Sequence, residues 1–134
     1  LAIGLEPDTR LVVQSGAVVK YVPELGGFTP VRTRLLETTV RNMYIAGDTS
    51  GIEEATTAML EGKIAALAVA SKLLDSSKST GALSEAERVL KFLWEEYRAS
   101  PLLIRAKRGK EAVTASEEEL EELRKKYPPL ISFG

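Results

Sequence analysis

The sequence predicts an α/β fold, and three observations carry that prediction. β-Branched runs crowd the early part of the chain, at Leu11-Val12-Val13 and at Ala17-Val18-Val19-Lys20-Tyr21-Val22. A compact apolar run, Met43-Tyr44-Ile45-Ala46, stops at Gly47-Asp48, the pattern of a buried parallel strand. A long stretch with apolar and small residues spaced by three and four follows it, the pattern of a helix. Beyond residue 75 only helical periodicity remains, so an α-helical C-terminal region is expected.

Each element follows from its own residues. Leu1 to Leu5 reads as the end of a strand, and Glu6-Pro7-Asp8-Thr9 is turn chemistry. Ser15-Gly16 between the two β-branched runs predicts a hairpin. Pro23 to Pro30, with Gly26-Gly27, reads as a loop, and Val31 to Leu36 as another short strand, completing a small β-meander. Asp48-Thr49-Ser50-Gly51 opens a helix over Ile52–Leu74, with Glu53 and Glu54 in the first turn, where the helix dipole favours acids. Its expected face is Ala55, Ala58, Met59, Gly62, Ala66, Val69 and Leu73. Leu60, Ile64, Leu67 and Ala68 fall elsewhere and imply burial on more than one side.

Asp75 to Gly81 is polar and gives the best internal boundary, dividing the chain into 1–75, a linker over 76–83, and 84–134. Ser84 with Glu87 reads as a capping box opening a second helix, with Ala86, Val89, Leu90, Leu93, Trp94 and Tyr97 on one face and Pro101 at its end. That face serves as core or as a subunit interface. Arg105, Lys107, Arg108 and Lys110 form a basic cluster, read as a solvated loop or as a phosphate site. Ser116 with Glu119 is another capping box, starting a helix to about Tyr127, and Glu117 to Glu122 reads as its solvated face.

Composition excludes much chemistry. The 134 residues include no Cys and no His, so thiolate nucleophiles, redox dithiols, His-based triads and His-ligated zinc are absent. A formal net charge of -1 argues against a nucleic-acid partner held by bulk charge, and no apolar run is long enough to span a membrane. The N-terminus has no basic n-region and no cleavage pattern, so a signal peptide is not expected. A cytoplasmic piece of a longer protein is the expectation.

The candidate site is the Gly47-Asp48 turn. Ligands of open α/β sheets bind outside the carboxyl ends of strands. Gly47 admits close backbone approach, free N–H groups at a helix start favour an anion or polarised carbonyl, and Asp48 accepts hydrogen bonds from sugar or polyol hydroxyls. That constellation suits a nucleotide-type cofactor. It is equally the pattern of an N-cap Asp at an ordinary strand–helix turn.

Thr38-Thr39-Val40-Arg41-Asn42-Met43-Tyr44-Ile45-Ala46-Gly47-Asp48 resembles the carboxyl-terminal flavin-binding motif of the flavoproteins with two dinucleotide-binding domains, the pyridine-nucleotide-disulfide-oxidoreductase-like group. Gly26 to Arg32, Ser50-Gly51-Ile52-Glu53-Glu54-Ala55 and Ala58 to Ala65 look like one subfamily, that of the FAD subunits of opine oxidases, hydrogen cyanide synthase and sarcosine oxidase alpha. The resemblance covers residues 1 to about 74. It implies a partial FAD-binding, Rossmann-like segment, with FAD as cofactor and Asp48 anchoring the ribityl or ribose-phosphate part. It also implies that the turn Gly47, Asp48, Thr49, Ser50, Gly51 and Ile52 faces the flavin. No residue is expected to be catalytic, and no metal is expected.

The amino-terminal Gly-x-Gly-x-x-Gly and the NAD(P)-binding repeat of that group are absent, so NAD(P) would enter only through a missing domain. The expected partner is accordingly the remaining N-terminal part of the flavoprotein or a partner subunit, with the segment inactive alone. The alternative is a non-catalytic oligomerisation module, since an unpaired sheet edge invites a second copy. Residues 76–134 carry no resemblance.

Overall fold

A computed structural model describes residues 4–134. The strand end expected at Leu1–Ile3 lies outside the described residues. Among the described residues the fold is mixed, with five α-helices and one two-stranded antiparallel sheet.

The first β-branched run is not a strand. Arg10–Gln14 forms a short helix, α1. Ser15-Gly16 ends that helix instead of turning a hairpin. Gly16 has φ +82°, its N–H donates to the Val13 carbonyl at 3.0 Å, and the Ala17 N–H donates to Val12 at 3.3 Å. This paired closure of the last carbonyls around a left-handed residue is a Schellman stop. The hairpin lies one segment later. Strand β1 (Val19–Val22) pairs with β2 (Gly27–Pro30) in the register Val19↔Pro30 to Val22↔Gly27. A 3-10 turn over Pro23–Leu25 and Gly26 in the left-handed region join them. The expected loop at Pro23–Pro30 is thus the hairpin's turn and second strand.

Two further expected strands are single bridges. Arg32 bridges Thr38 and Thr114, and the chain then folds back on itself through Leu36, at φ +73°. Tyr44 bridges Glu37 in an antiparallel sense, and the Ile45 N–H donates to Leu36 at 3.0 Å. The reversal at Val40–Asn42, where Asn42 is left-handed and the Met43 N–H reaches Val40, brings Met43–Ala46 back beside the segment just before it. Among the described residues the parallel pairing expected for Met43–Ala46 is absent.

Helix α2 runs Ala55–Leu73 and α3 runs Ser76–Lys91. Only Leu74-Asp75 separate them, so residues 76–83, expected as a linker, form the opening turns of α3. Ser79 lies against Ser71 and Lys63 against Glu85, making an antiparallel helical hairpin. Ser84 is consequently inside a helix rather than at its cap. A π-helical turn, Phe92–Tyr97, extends α3; α4 (Ile104–Val113) and α5 (Glu117–Lys126) complete the chain. The basic segment read as a solvated loop or as a phosphate site is helical and forms α4. The Ser116–Glu119 capping box forms as expected, with reciprocal bonds of 3.2 and 2.8 Å.

The buried stripe of α2 is Thr57, Glu61, Ile64 and Ala68. The apolar face expected from spacing is not the core face: Met59 is 75% exposed and Leu73 79%. Ile64 joins Leu36, Val89, Leu90 and Leu93 in the largest apolar cluster, against which Trp94 and Tyr97 pack, so the face expected for the second helix is core. No helix among the described residues is long and apolar enough to cross a membrane.

Candidate functional site

The Thr38–Asp48 segment is fixed largely by its own hydroxyls. The Thr38 hydroxyl accepts from the Val40 N–H at 3.1 Å, a local turn that Thr forms readily. Thr39 Oγ1 accepts from the Val18 N–H at 2.9 Å, joining the segment to the start of the hairpin. From α5, Arg124 donates to the Thr39 carbonyl at 3.0 Å and the Thr38 carbonyl at 3.1 Å. Both threonines are fully buried.

Gly47–Ser50 is a single 3-10 turn. Gly47 has φ +73° and Gly51 φ +107°, so the turn is bracketed by two residues in backbone conformations suited to glycine. A Cβ on Gly51 would meet Leu25 Cδ1 at 2.7 Å, so Gly51 also admits the closest approach of the hairpin to this turn. The Ile52 N–H donates to the Leu25 carbonyl at 3.0 Å.

The six residues of the expected site divide. Asp48 is exposed, and Thr49 lies among the residues of an open groove of about 1090 Å³. Leu11, Met43, Tyr44, Ile45, Ile131 and Phe133 give that groove its apolar lining. Ser50 and Gly51 are buried, and the Gly47, Gly51 and Ile52 N–H groups are taken by Glu61, Asp48 and Leu25. The helix expected to start at this turn starts later. Residues 51–54 are not helical, and Glu54, in extended backbone, caps α2, its carboxylate accepting from the Thr57 N–H at 2.9 Å while Thr57 Oγ1 accepts from the Glu54 N–H. The α2 N-terminus is closed by its own carboxylate instead of open to an outside anion.

Beneath the turn lies a cluster of charges. Glu61, on the buried stripe of α2, accepts the Gly47 N–H at 3.1 Å through one oxygen. Through the other it accepts from Arg98 at 2.6 Å and Lys110 at 2.7 Å. Arg98 also forks onto Glu53 at 2.9 and 2.6 Å and lies 4.6 Å from the centre of the Trp94 ring. Lys110 lies 3.3 Å from Glu53. Arg32 donates to the Ser50 carbonyl at 3.2 Å and hydroxyl at 3.1 Å. All five charged side chains are at most 2% exposed.

Burial dominates the electrostatics of the cations. It pushes the Arg32 guanidinium down to about 10, with Arg98 adding to the shift and Glu61 and Glu53 opposing it. Burial likewise lowers Lys110, reinforced by Arg32, and the two carboxylates only partly compensate. On Glu53, burial acts upward but is outweighed by the Arg98 hydrogen bond and the charges of Lys110 and Arg98, which hold its carboxyl below the usual range. Every buried side-chain nitrogen and oxygen among the described residues has a hydrogen-bond partner, the condition under which such a cluster is tolerated.

Sequence reasoning placed Gly47 to Ile52 together but missed Arg32, Glu61 and Arg98, and put Lys110 in a solvated loop or a phosphate site, whereas it is buried. The available signal was Glu61. It shares the i, i+3, i+4 spacing of Thr57, Ile64 and Ala68, so a carboxylate sits on the core stripe and demands buried cations.

No family model and no solved structure matches the chain. It is similar to an opine oxidase subunit of Rhizobium meliloti (strain 1021), 39% identical over 70 residues, which is 52% of this chain and 15% of that protein. The corresponding opine oxidase subunit of Agrobacterium tumefaciens (strain Ach5) is 35% identical over 81 residues, 60% of this chain and 16% of that protein. The chain spans about a sixth of the length of these curated relatives or less, and the likeness is to part of an oxidoreductase subunit.

Proposed function

We propose that the chain is a segment of an FAD-dependent oxidoreductase subunit, acting on secondary amines of the opine type, in which the Gly47-Asp48 turn helps hold the flavin. The observation that carries the reading is the similarity to the opine oxidase subunits together with an exposed carboxylate on a glycine-bracketed turn. FAD, when bound, supplies the electron acceptor for amine oxidation.

The residues present fit one part of that cofactor. Asp48 offers acceptor oxygens to the ribityl or ribose hydroxyls, and Thr49 offers a hydroxyl beside the groove. Glu54 already closes the α2 N-terminus, so the anion-binding role of a helix start is not assigned to this segment. The pyrophosphate cradle belongs to the longer protein, and the apolar groove is the face on which that remainder, or a partner subunit, sits. The segment alone is inactive and contributes no catalytic base.

The test is FAD content and affinity of the longer protein carrying Asp48→Ala. Loss of a charge-assisted hydrogen bond lowers affinity about ten-fold or more. Unchanged affinity in a folded variant rejects the role of Asp48. A second reading, self-association without a cofactor, is favoured by the exposure of Leu11 (81%) and Phe133 (47%) on the groove. A stable dimer broken by Leu11→Asp, with no response to FAD, would select it.

A further inference from the structure

The chain after α5 crosses back over the body as a strap. Pro128-Pro129 prevent the helix from continuing, and residues 129–134 form neither helix nor strand. The strap is seated on Gly16, the left-handed residue that ends α1. A Cβ at Gly16 would meet the Leu130 nitrogen at 2.6 Å, so the bare glycine lets the two backbones touch. Among the described residues two hydrogen bonds hold the strap. The Leu130 N–H donates to the Ser15 carbonyl at 2.9 Å, and the Asn42 side-chain amide donates to the Phe133 carbonyl at 2.8 Å. Asn42 is itself fixed for that task, left-handed at φ +62° with its own N–H given to Glu37 at 2.7 Å.

The strap is held but not packed. Ile131 and Phe133 border the groove of about 1090 Å³ on one side. On the other they border a second hollow of about 400 Å³, against Thr39, Arg41 and Arg124. Leu130, Ile131 and Phe133 are all exposed, so little apolar burial opposes their release. A segment with few buried apolar contacts and two hydrogen bonds opens at a lower cost than the body beneath it.

We propose that residues 129–134 are a releasable strap, latched at Asn42 and Ser15, that controls access to the groove beside the Gly47–Ser50 turn. Latched, the strap is the wall between the two hollows. Released, it removes that wall and uncovers Met43, Tyr44 and Ile45 along the approach to Thr49. The proposal does not depend on flavin binding.

The experiment is amide hydrogen exchange on the full chain, read at Leu130 and at Ala115. The Ala115 N–H donates to the Arg32 carbonyl at 2.9 Å within the body and reports its opening. Corrected for intrinsic rates, Leu130 is expected to exchange at least about a hundred-fold faster than Ala115. Asn42→Asp, which replaces the donor amide by an acceptor facing the Phe133 carbonyl, speeds Leu130 a further ten-fold or so and leaves Ala115 unchanged. The same variant raises the fluorescence of the apolar dye anilinonaphthalene sulfonate, and adding Leu11→Asp on the groove wall abolishes that gain. Should Asn42→Asp unfold the chain, Asn42→Gly, which suits the left-handed backbone and also lacks the amide, takes its place. Leu130 protected as strongly as Ala115, or indifferent to loss of the Asn42 amide, overturns the strap. Faster exchange with no gain in dye binding overturns its control of the groove.

Discussion

Glu61 holds three groups at once, the Gly47 N–H, Arg98 and Lys110, and it does so without solvent. Glu61→Ala therefore leaves two buried cations short of a partner, and a cost of about 3–5 kcal/mol is expected in urea unfolding. Glu85→Ala, which removes partly exposed pairs with Arg88 and Lys63, should cost only a small fraction of that. Gly51→Ala forces a Cβ into Leu25 at a positive φ and should cost about 2–4 kcal/mol by the same measurement. The candidate turn was legible because Gly47-Asp48 is a local pattern. The charges that hold it were not, because Arg32, Glu61, Arg98 and Lys110 meet only after α2, the π turn and α4 have packed. No window of sequence contains them all.

At the scale of elements, short-range signals were readable where a side chain acts within its own turn. The Ser116–Glu119 box formed because both bonds are local, and Ser116→Ala should lower stability by about 1 kcal/mol, seen as a lower melting temperature. Ser84 with Glu87 carries the same spacing and caps nothing, because Ser76 had already started the helix. Ser15-Gly16 illustrates the same ambiguity, since a left-handed glycine serves a hairpin and a helix stop alike, and the bond from Ala17 to Val12 decides between them. On α2 the misread face has a physical cause. Hydrophobicity ranked Met59 above Thr57, yet Thr57 is needed inside to complete the cap with Glu54 and Glu61 to hold the cluster.

For the whole molecule, the cluster ties residues 53 and 61 to residues 98 and 110, so the C-terminal helices are part of what supports the candidate turn. Its pH response follows from its members. The Glu53 carboxyl is held below its ordinary 4.5, so its stabilisation is complete above that pH and is lost as pH falls through the folded value. Lys110 is lowered from 10.5, so the folded form sheds its proton first and stability rises as pH climbs from the folded value toward 10.5. A urea-midpoint series across pH should show both arms, and Glu53→Gln should flatten the acidic one. The π turn at Phe92–Tyr97 adds a constraint on chain length. It carries one residue more than an α turn would, so Arg98 arrives at the cluster in a phase that an uninterrupted helix would miss by roughly 100°. Replacing Glu95 or Glu96, both exposed, leaves that phase intact, whereas deleting either one swings Arg98 away from Glu53 and Glu61. At these two exposed positions the number of residues matters more than their side chains.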